Sequence, residues 1–369
     1  MLNICIVAGA RPNFIKVAPI VRAIGKAHDE GKEIGFELVY AGREDDITLE
    51  SSLFEDLQID RPTVFLGVSC TNLNELTGQV MSAFEQYLQT RKTDVVIVVD
   101  DLASTMAAAI VAKKQGLLLA HLVAGTRSFD INMPKEINRL VIDGLSDLLF
   151  TAGMSSNSTA TREGAGQEKI FMVGNILMDT LRYNYARLQR PAIMDEYGLE
   201  DKGYIVFTLN RKMLIADREN LKKMLVSMIG HAGRTPIVAP LRSLAADAVK
   251  DVLGSQMGSL VLVSPLSYLE FGYLTAHAKG IVTDSGNVAE EATFNSVPCI
   301  TLNSYTEHIE TVKVGSNVLV GENAELLGEE IDRMVRGEWK ESALPDRWDG
   351  RTSERIVQIL LEKSRAMRS

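Results

Sequence analysis

The sequence predicts an α/β protein with two Rossmann-like, doubly wound domains. Short apolar runs alternate with longer amphipathic segments, and this alternation begins again in the second half of the chain. Continuous apolar strands separated by helices are typical of a parallel sheet that is covered on both faces. The length of 369 residues also favours two hydrophobic cores over one.

The first domain is predicted over residues 1–180. Its strands are predicted from six apolar runs, which are Ile4–Ala8, Phe36–Ala41, Val95–Val99, Leu117–Val123, Leu148–Thr151 and Ile170–Val173. Helical periodicity lies between these runs, for example over Phe14–Ala27 and Ser104–Lys114.

The second domain is predicted over residues 200–350. Its strands are Tyr204–Leu209, Pro236–Ala239, Leu260–Val263, Gly280–Thr283, Pro298–Leu302 and Asn317–Val320, and its helices are Arg218–Ile229, Leu266–His277 and Ala324–Arg336. A last helix within residues 351–369 is expected to pack back on the first domain. Because ligands of open α/β sheets bind beyond the carboxyl ends of the strands, the cleft between the domains is the expected site.

Composition and charge exclude several classes of protein. The net charge of −9 argues against a nonspecific nucleic-acid binder, which needs a basic surface. No run reaches the roughly 18 apolar residues of a membrane span, so we expect no membrane partner. The first residues lack the features of a signal peptide, and Cys5 and Cys299 lie inside apolar runs, which predicts buried thiols. We therefore expect a cytoplasmic protein.

A dense run of polar side chains follows the predicted strand that ends at Val123. Ordering such groups is unfavourable unless they bind something, so this run is predicted to be functional. Its members are Arg127, Asp130, Asn132, Glu136, Asn138 and Arg139.

The turn after the first strand is a candidate anion site. Gly9 permits a tight turn, a helix is expected from about Asn13, and Arg11 and Lys16 could add positive charge at its start. The free amides and dipole of a helix N-terminus favour an anion. The alternative is an ordinary strand–turn–helix with solvated cations.

Asp101 is a candidate acid–base group, because it lies at the end of an apolar strand. A carboxylate there either faces the cleft, where it could transfer protons, or caps the next helix. Capping by Asp101 or by Ser104 stays open at this stage.

The segment Val282–Ala292 is a second candidate phosphate site. Ser285, Gly286 and the amides that follow could hold a diphosphate at a helix start, and Glu291 could accept ribose hydroxyls. The alternative is a capped helix with a surface Glu pair.

His308, in the polar loop that follows, could titrate near neutrality, but a solvated or structural histidine is the other interpretation. No cluster has metal-ligand spacing, so we expect no metal and no other cofactor.

From Ile4 to about Leu360, the chain resembles the non-hydrolysing UDP-N-acetylglucosamine 2-epimerases. The matching stretches include Ala8–Pro19, Ser128–Phe150, Val173-Gly-Asn175, Thr283–Ala292 and Trp348-Asp-Gly350. This resemblance implies two domains in a glycosyltransferase-B-like arrangement, a UDP-sugar as the ligand and a homodimer.

The resemblance also implies roles for individual residues. Arg11 and Lys16 would lie near the diphosphate, Ser285 and Gly286 would bind phosphate, and Glu291 would bind ribose. Arg242 matches the arginine of the family's His-Pro-Arg turn, and His308 stands where the family's Thr-Glu-Arg-Pro loop has arginine. The family's reaction eliminates UDP across C1 and C2 of the sugar and adds it back with the C2 proton on the other face.

Several acid–base positions depart from the family pattern. Asp101 and Glu136 are retained, but Val123, Lys135 and Asn210 replace two glutamates and a histidine. The predicted catalytic residues are therefore Asp101, Glu136 and Lys135. Three functions stay open: a 2-epimerase with altered acid–base residues, a glycosyltransferase with a UDP-sugar donor, and a non-catalytic nucleotide-sugar-binding paralogue.

Overall fold

The structure, a computed structural model, describes residues 1–368, with side chains described as far as residue 366. Ser369, the end of the predicted 351–369 segment, lies outside the described residues. The chain divides into two compact units. The first contains Met1–Tyr183 together with the C-terminal segment from Asp346, and the second contains Asn184–Pro345.

The first unit is built on a parallel sheet with seven strands. They are β1 (Leu2–Ala8), β2 (Ile34–Tyr40), β3 (Val64–Phe65), β4 (Val95–Val99), β5 (Leu118–Ala124), β6 (Leu148–Thr151) and β7 (Ile170–Met172). Their order in the sheet is β3-β2-β1-β4-β5-β6-β7. The order reverses between β1 and β4, which is where doubly wound sheets open a crevice for ligands.

Seven helices connect or follow these strands. They are α1 (Arg11–Asp29), α2 (Ser51–Leu57), α3 (Leu73–Thr90), α4 (Ala103–Lys114), α5 (Pro134–Leu145), α6 (Met154–Arg162) and α7 (Ile176–Asn184). A short 3-10 helix also covers Gln167–Lys169. All five residues of β4 are buried, as expected for a central strand that helices cover on both faces.

The second unit repeats this plan with six parallel strands. They are β8 (Ile205–Phe207), β9 (Ile237–Pro240), β10 (Leu260–Val263), β11 (Gly280–Thr283), β12 (Cys299–Thr301) and β13 (Asn317–Leu319), in the order β10-β9-β8-β11-β12-β13. Its order reverses between β8 and β11. Both sheets confirm the predicted Rossmann-like fold class.

The helices of the second unit lie between these strands. They are α8 (Ile193–Glu196), α9 (Lys212–Ala216), α10 (Arg218–Ala232), α11 (Ser243–Leu253), α12 (Tyr268–Ala276), α13 (Gly286–Phe294), α14 (Glu310–Lys313) and α15 (Ala324–Arg336). A 3-10 helix covers Tyr185–Arg187. Every strand predicted from the sequence is present; β3 was missed because two residues are too few to produce a pattern.

The last helix, α16 (Thr352–Arg368), belongs to the first unit. The carboxylate of Asp179 accepts hydrogen bonds from the backbone nitrogens of Thr352 and Ser353, at 2.9 and 2.7 Å, and from the Ser353 hydroxyl. Just before this helix, the fully buried indole of Trp348 donates to the carbonyl of Ala152. These bonds anchor both ends of the segment that leads into α16.

Cys5 and Cys299 are buried free thiols, as predicted. Burial raises the pKa of Cys5 and raises the pKa of Cys299 to about 12, so neither is a reactive thiolate. Within residues 1–368, no helix combines the length and the apolarity that crossing a membrane requires.

Candidate functional site

The carboxyl ends of β1, β4 and β5 lie side by side at one edge of the first sheet. Gly9 follows β1, and a Cβ atom there would lie 2.0 Å from the hydroxyl oxygen of Ser104, so only glycine permits this approach of α4. A cavity of about 500 Å³ opens beside these two residues. The sequence correctly located a tight turn here.

The predicted anion site after β1 is already partly occupied by protein groups. The side-chain oxygen of Asn13 accepts hydrogen bonds from the amides of Gly9 and Ala10, at 2.9 and 3.3 Å. Lys16 is buried, and its ammonium lies 2.6 Å from a carboxylate oxygen of Asp100. Arg11 is half-buried at the first position of α1. The expectation of solvated cations is therefore wrong for Lys16.

Asp100 is held in the left-handed backbone region, with φ of +58°. Its carboxylate accepts hydrogen bonds from the ammonium of Lys16 and from the side-chain amide nitrogen of Asn13, the latter at 3.0 Å. Its backbone carbonyl accepts a hydrogen bond from Nε2 of His121 at 2.8 Å. A left-handed aspartate persists where neighbouring groups determine its conformation, and three side chains do so here.

Asp101 is buried and is tied to α5. Its Oδ2 accepts hydrogen bonds from Nε and a terminal nitrogen of Arg139, at 2.9 and 2.7 Å. Its Oδ1 makes no hydrogen bond among the described residues and lies 3.6 Å from the ammonium of Lys135. The N-cap of α4 is Leu102, without a side-chain cap, so neither Asp101 nor Ser104 caps that helix. The carboxylate is thus held in place with one oxygen available.

Both carboxylate oxygens of Glu136 accept hydrogen bonds from neighbouring protein groups. One oxygen accepts the Phe129 amide at 2.9 Å, and the other accepts the Ser128 amide and hydroxyl, both at 3.0 Å. Although burial favours the neutral form, these bonds and the charge of Arg139 lower the pKa of Glu136. An ionised, fully bonded carboxylate favours a structural role over the acid–base role that we predicted.

The polar run after β5 is ordered mainly by contacts within the protein. Arg127, Glu136, Asn138 and Arg139 are buried, and each bonds to a charged or backbone group of the same unit. Asp130 and Asn132 are exposed and bond to each other. The order of the buried members thus comes from contacts within the protein, which the sequence alone does not show, because it does not reveal which ion pairs form across the fold.

His121 and Asp143 form a buried pair beneath this edge of the sheet. Nδ1 of His121 lies 2.5 Å from Oδ1 of Asp143, whose Oδ2 accepts the Gly125 amide and a nitrogen of Arg127. Although burial favours the neutral carboxyl, the charges of His121 and Arg127 lower the pKa of Asp143. His121 is therefore a buried histidine that is paired on both sides of its ring.

In the second unit, the carboxyl ends of β8 and β11 are joined by Asp284. One of its oxygens accepts the backbone amides of Asn210 and Arg211, at 2.7 and 2.6 Å. Ser285 and Gly286 follow at the start of α13. The Ser285 hydroxyl makes no hydrogen bond among the described residues, and a Cβ on Gly286 would meet no atom within 4 Å. The start of α13 thus has open space beside it.

The Glu290–Glu291 pair is buried, so the alternative of a surface pair is wrong. Burial, with a smaller contribution from the charge of Glu290, raises the pKa of Glu291 to about 8. No hydrogen bond or ion pair of the Glu291 carboxyl is recorded among the described residues. His308 is also buried, with Nε2 at 3.7 Å from an oxygen of Glu290.

Arg242 is exposed at the N-cap of α11, in the short turn after β9. Parallel strands end at the same edge of a sheet, so Arg242, Asn210 and Ser285 follow strands at one edge of the second sheet. The described residues contain no group of His, Cys, Asp and Glu side chains arranged to hold a metal ion.

Sequence reasoning did not single out Asn13, His121 or Asp284 as site residues. Asp284 directly follows the apolar strand β11, and that position was a usable signal. The roles of Asn13 and His121 depend on partners 87 and 21 residues away in sequence, which no local pattern shows.

The chain is similar to known proteins over most of its length. The family model described as UDP-N-acetylglucosamine 2-epimerase matches residues 26–361. The chain is 33% identical to the UDP-N-acetylglucosamine 2-epimerase of Methanocaldococcus jannaschii over 371 residues, which cover 97% of this chain and 99% of that protein. It is 31% identical to the UDP-2,3-diacetamido-2,3-dideoxy-D-glucuronate 2-epimerase of Pseudomonas aeruginosa over 332 residues, which cover 89% of this chain and 91% of that protein.

A solved structure is similar over nearly the whole chain. The Methanocaldococcus jannaschii UDP-GlcNAc 2-epimerase, in complex with UDP-GlcNAc and UDP, matches with a TM-score of 0.82 at 32% identity. The match covers 97% of this chain and 99% of that chain. The likeness therefore includes both Rossmann-like units.

Proposed function

Because the chain belongs to the UDP-N-acetylglucosamine 2-epimerase family, we propose that it inverts C2 of a UDP-hexosamine by eliminating UDP and adding it back. Membership of the family makes it an epimerase-like nucleotide-sugar enzyme. The observation that carries the finer proposal is the carboxylate of Asp101 at the end of β4. Arg139 holds one of its oxygens, and the other is available to exchange a proton.

The proposed reaction has two halves. A base removes the C2 proton while the bond between C1 and the diphosphate oxygen breaks, so that UDP leaves and a glycal remains. UDP then adds to C1, and a proton returns to C2 from the opposite face. Proton transfer requires positioned groups with reachable oxygens or nitrogens, and the leaving diphosphate requires positive charge.

We assign these tasks to Asp101 and Lys135, with Glu136 in support. Asp101 is the proposed proton-transferring group, and Lys135 is a cation beside its available oxygen. Glu136 is proposed to hold the Ser128–Phe129 turn and Arg139, because its oxygens are already occupied. The tasks of the family residues that Val123 and Asn210 replace are left to Asp101 and Lys135.

The UDP moiety is proposed to bind at the start of α13. Ser285 and Gly286 would hold phosphate, because the hydroxyl is unbonded and the space beside the glycine is open. Glu291 would accept the ribose hydroxyls. Arg242 and His308, which follow strands of the same sheet, would complete the ligand's surroundings in the second unit. Arg11 and Lys16 are proposed to supply positive charge at the start of α1 in the first unit.

The substrate is proposed to lie within the UDP-N-acetylhexosamine class. One relative is named for UDP-N-acetylglucosamine and another for a diacetamido glucuronate, which carries a carboxylate. An exposed cation such as Lys135 is compatible with an acidic sugar. Both sugars therefore belong in the assay. As for the family, we also propose a cytoplasmic homodimer. Sedimentation of the purified protein would test the dimer.

The test is NMR of the protein with each UDP-sugar in deuterated water, following C2 and free UDP together. We expect deuterium at C2 and a C2-inverted product. Asp101→Asn should lower the rate by at least about 100-fold, because an amide cannot exchange the proton. Asp60→Asn is the control, since Asp60 is exposed in the same unit and lies in the loop after α2.

Two outcomes would contradict the proposed epimerisation, and a third would contradict the role of Asp101. Release of UDP only when an acceptor is added would indicate a glycosyltransferase. Binding of UDP-sugar without deuterium exchange or UDP release would indicate a non-catalytic paralogue. Equal rates for wild type and Asp101→Asn would remove Asp101 from the reaction.

A further inference from the structure

We propose that His121 is a positioning residue, which fixes the turn that carries Asp101 by holding the carbonyl of Asp100. This inference rests on the proposed role of Asp101. His121 lies on β5, and the turn lies at the end of the neighbouring strand β4. The ring is 1% exposed and lies under the edge of the sheet, so it acts through Asp100 and Asp101.

Both ring nitrogens of His121 face acceptors. Nδ1 lies 2.5 Å from the carboxylate of Asp143, and Nε2 lies 2.8 Å from the carbonyl oxygen of Asp100. A carbonyl oxygen can only accept a hydrogen bond, so Nε2 of His121 donates to Asp100. The ring therefore spans the space between α5, which carries Asp143, and the end of β4.

Asp143, the partner of Nδ1, is itself held by several hydrogen bonds. Asp143 accepts a nitrogen of Arg127 at 2.8 Å, and Arg127 in turn donates to Glu163 and to the carbonyl of Thr126. The amide of Gly125 completes the shell of Asp143. Because each group is fixed by at least two others, the orientation of His121 follows from the rigid elements around it.

The segment at the end of β5 is itself in a constrained conformation. Val123 has φ of +69°, which is rare for a β-branched residue, and the pairing register with β6 shifts beside it. Gly125 also has a positive φ, and a Cβ there would lie 2.3 Å from the carbonyl oxygen of Ser156. Such conformations persist where surrounding bonds determine them, and they concentrate at functional sites.

The carbonyl of Asp100 directs Asp101 through the peptide plane. The carbonyl oxygen of Asp100 and the nitrogen and Cα of Asp101 lie in one plane, since the peptide bond does not rotate freely. Holding that oxygen at 2.8 Å therefore restrains the direction in which the Asp101 side chain leaves the backbone. Arg139 fixes the other end of the same side chain. His121 and Arg139 together set the position of the available oxygen.

The test compares His121→Gln with His121→Asn. Glutamine can place its amide nitrogen near the position of Nε2, and it then keeps a donor to Asp100. Asparagine reaches only the position of Nδ1, and it keeps the bond to Asp143 instead. We expect His121→Asn to lower kcat about 10- to 100-fold relative to the wild type. The kcat of His121→Gln should be at least about tenfold higher than that of His121→Asn. KM and the Kd for UDP should change little in either variant.

Amide hydrogen exchange at Asp101 and Leu102 provides a second measurement that does not depend on activity. Exchange should be faster in His121→Asn than in His121→Gln, because only the former releases the Asp100 carbonyl. Equal kcat losses and equal exchange in the two variants would overturn the inference. If the wild type shows no C2 exchange or UDP release, the proposed function fails, and the amide exchange alone decides whether His121 fixes the turn.

Discussion

At the scale of single residues, the site is defined by which charges are already paired. Lys16 forms an ion pair with Asp100. The Glu291 carboxyl is buried and makes no hydrogen bond or ion pair with the described residues. Burying a carboxyl without hydrogen bonds favours its neutral form, which is why the pKa of Glu291 rises to about 8. The ribose hydroxyls of UDP would supply the missing donors.

Glu291→Gln should stabilise the protein more at high pH than at low pH. The folded state binds a proton at Glu291 between the usual value of 4.5 and about 8, so stability falls as pH rises through this window. Glutamine removes this effect and should add about 2–4 kcal/mol near pH 8.5 and little near pH 4.5. Chemical denaturation at the two pH values measures the difference.

The control for this variant is Glu329→Gln, because Glu329 is an exposed glutamate of α15 in the same unit. Its effect should be small and independent of pH. A gain from Glu291→Gln that is equal at both pH values would contradict the buried, neutral carboxyl. Loss of UDP affinity in Glu291→Gln alone would support the ribose assignment.

At the scale of elements, the helix with the best-defined anchor is α16. Asp179, near the start of α7, accepts three hydrogen bonds from the first two residues of α16. A carboxylate at a helix N-terminus satisfies free amides and interacts favourably with the helix dipole. This contact joins residues that lie more than 170 positions apart in sequence.

Asp179→Ala should loosen α16 without unfolding the rest of the first unit. Removing the acceptor leaves the first amides of the helix unsatisfied, at a cost of about 1–3 kcal/mol. Hydrogen exchange over residues 352–366 should rise more than exchange over β4. Asp195→Ala is the control, because the Asp195 side chain is 84% exposed. Unchanged exchange in α16 would show that other contacts hold it.

At the scale of the whole molecule, each unit has its own sheet and its own core. The second unit is formed by one continuous segment, Asn184–Pro345, whereas the first requires the C-terminal segment from Asp346. Trp348 is fully buried in the first unit, so removing it would expose apolar surface and leave a cavity.

The isolated segment 184–345 should fold and unfold cooperatively, whereas the isolated segment 1–183 should not. The first statement follows from a complete sheet and core, and the second follows from the missing Trp348 and α16. Circular dichroism during thermal unfolding measures both. Supplying residues 346–369 to the segment 1–183 through a linker should restore cooperativity. A cooperative transition in the segment 1–183 alone would contradict this account.

The sequence by itself determined the elements, because apolar periodicity is a local property of the chain. The strands β4, β6, β10 and β11 and the helix α15 have the bounds that the pattern predicts. The sequence also located Asp101, Ser285 and Gly286 near strand ends, since each lies just beyond an apolar run. These inferences needed no knowledge of which strands are neighbours.

Only the tertiary structure decided the partners of the charged groups. Placing β1 beside β4 brings Lys16 to Asp100 across 84 residues, and placing α5 beneath β4 brings Arg139 to Asp101 across 38. The burial of Glu291, and the ring of His121 between two acceptors, depend on the same packing. Charge pairing is set by distances in space, and strand order, which fixes those distances, is not a local property of the chain.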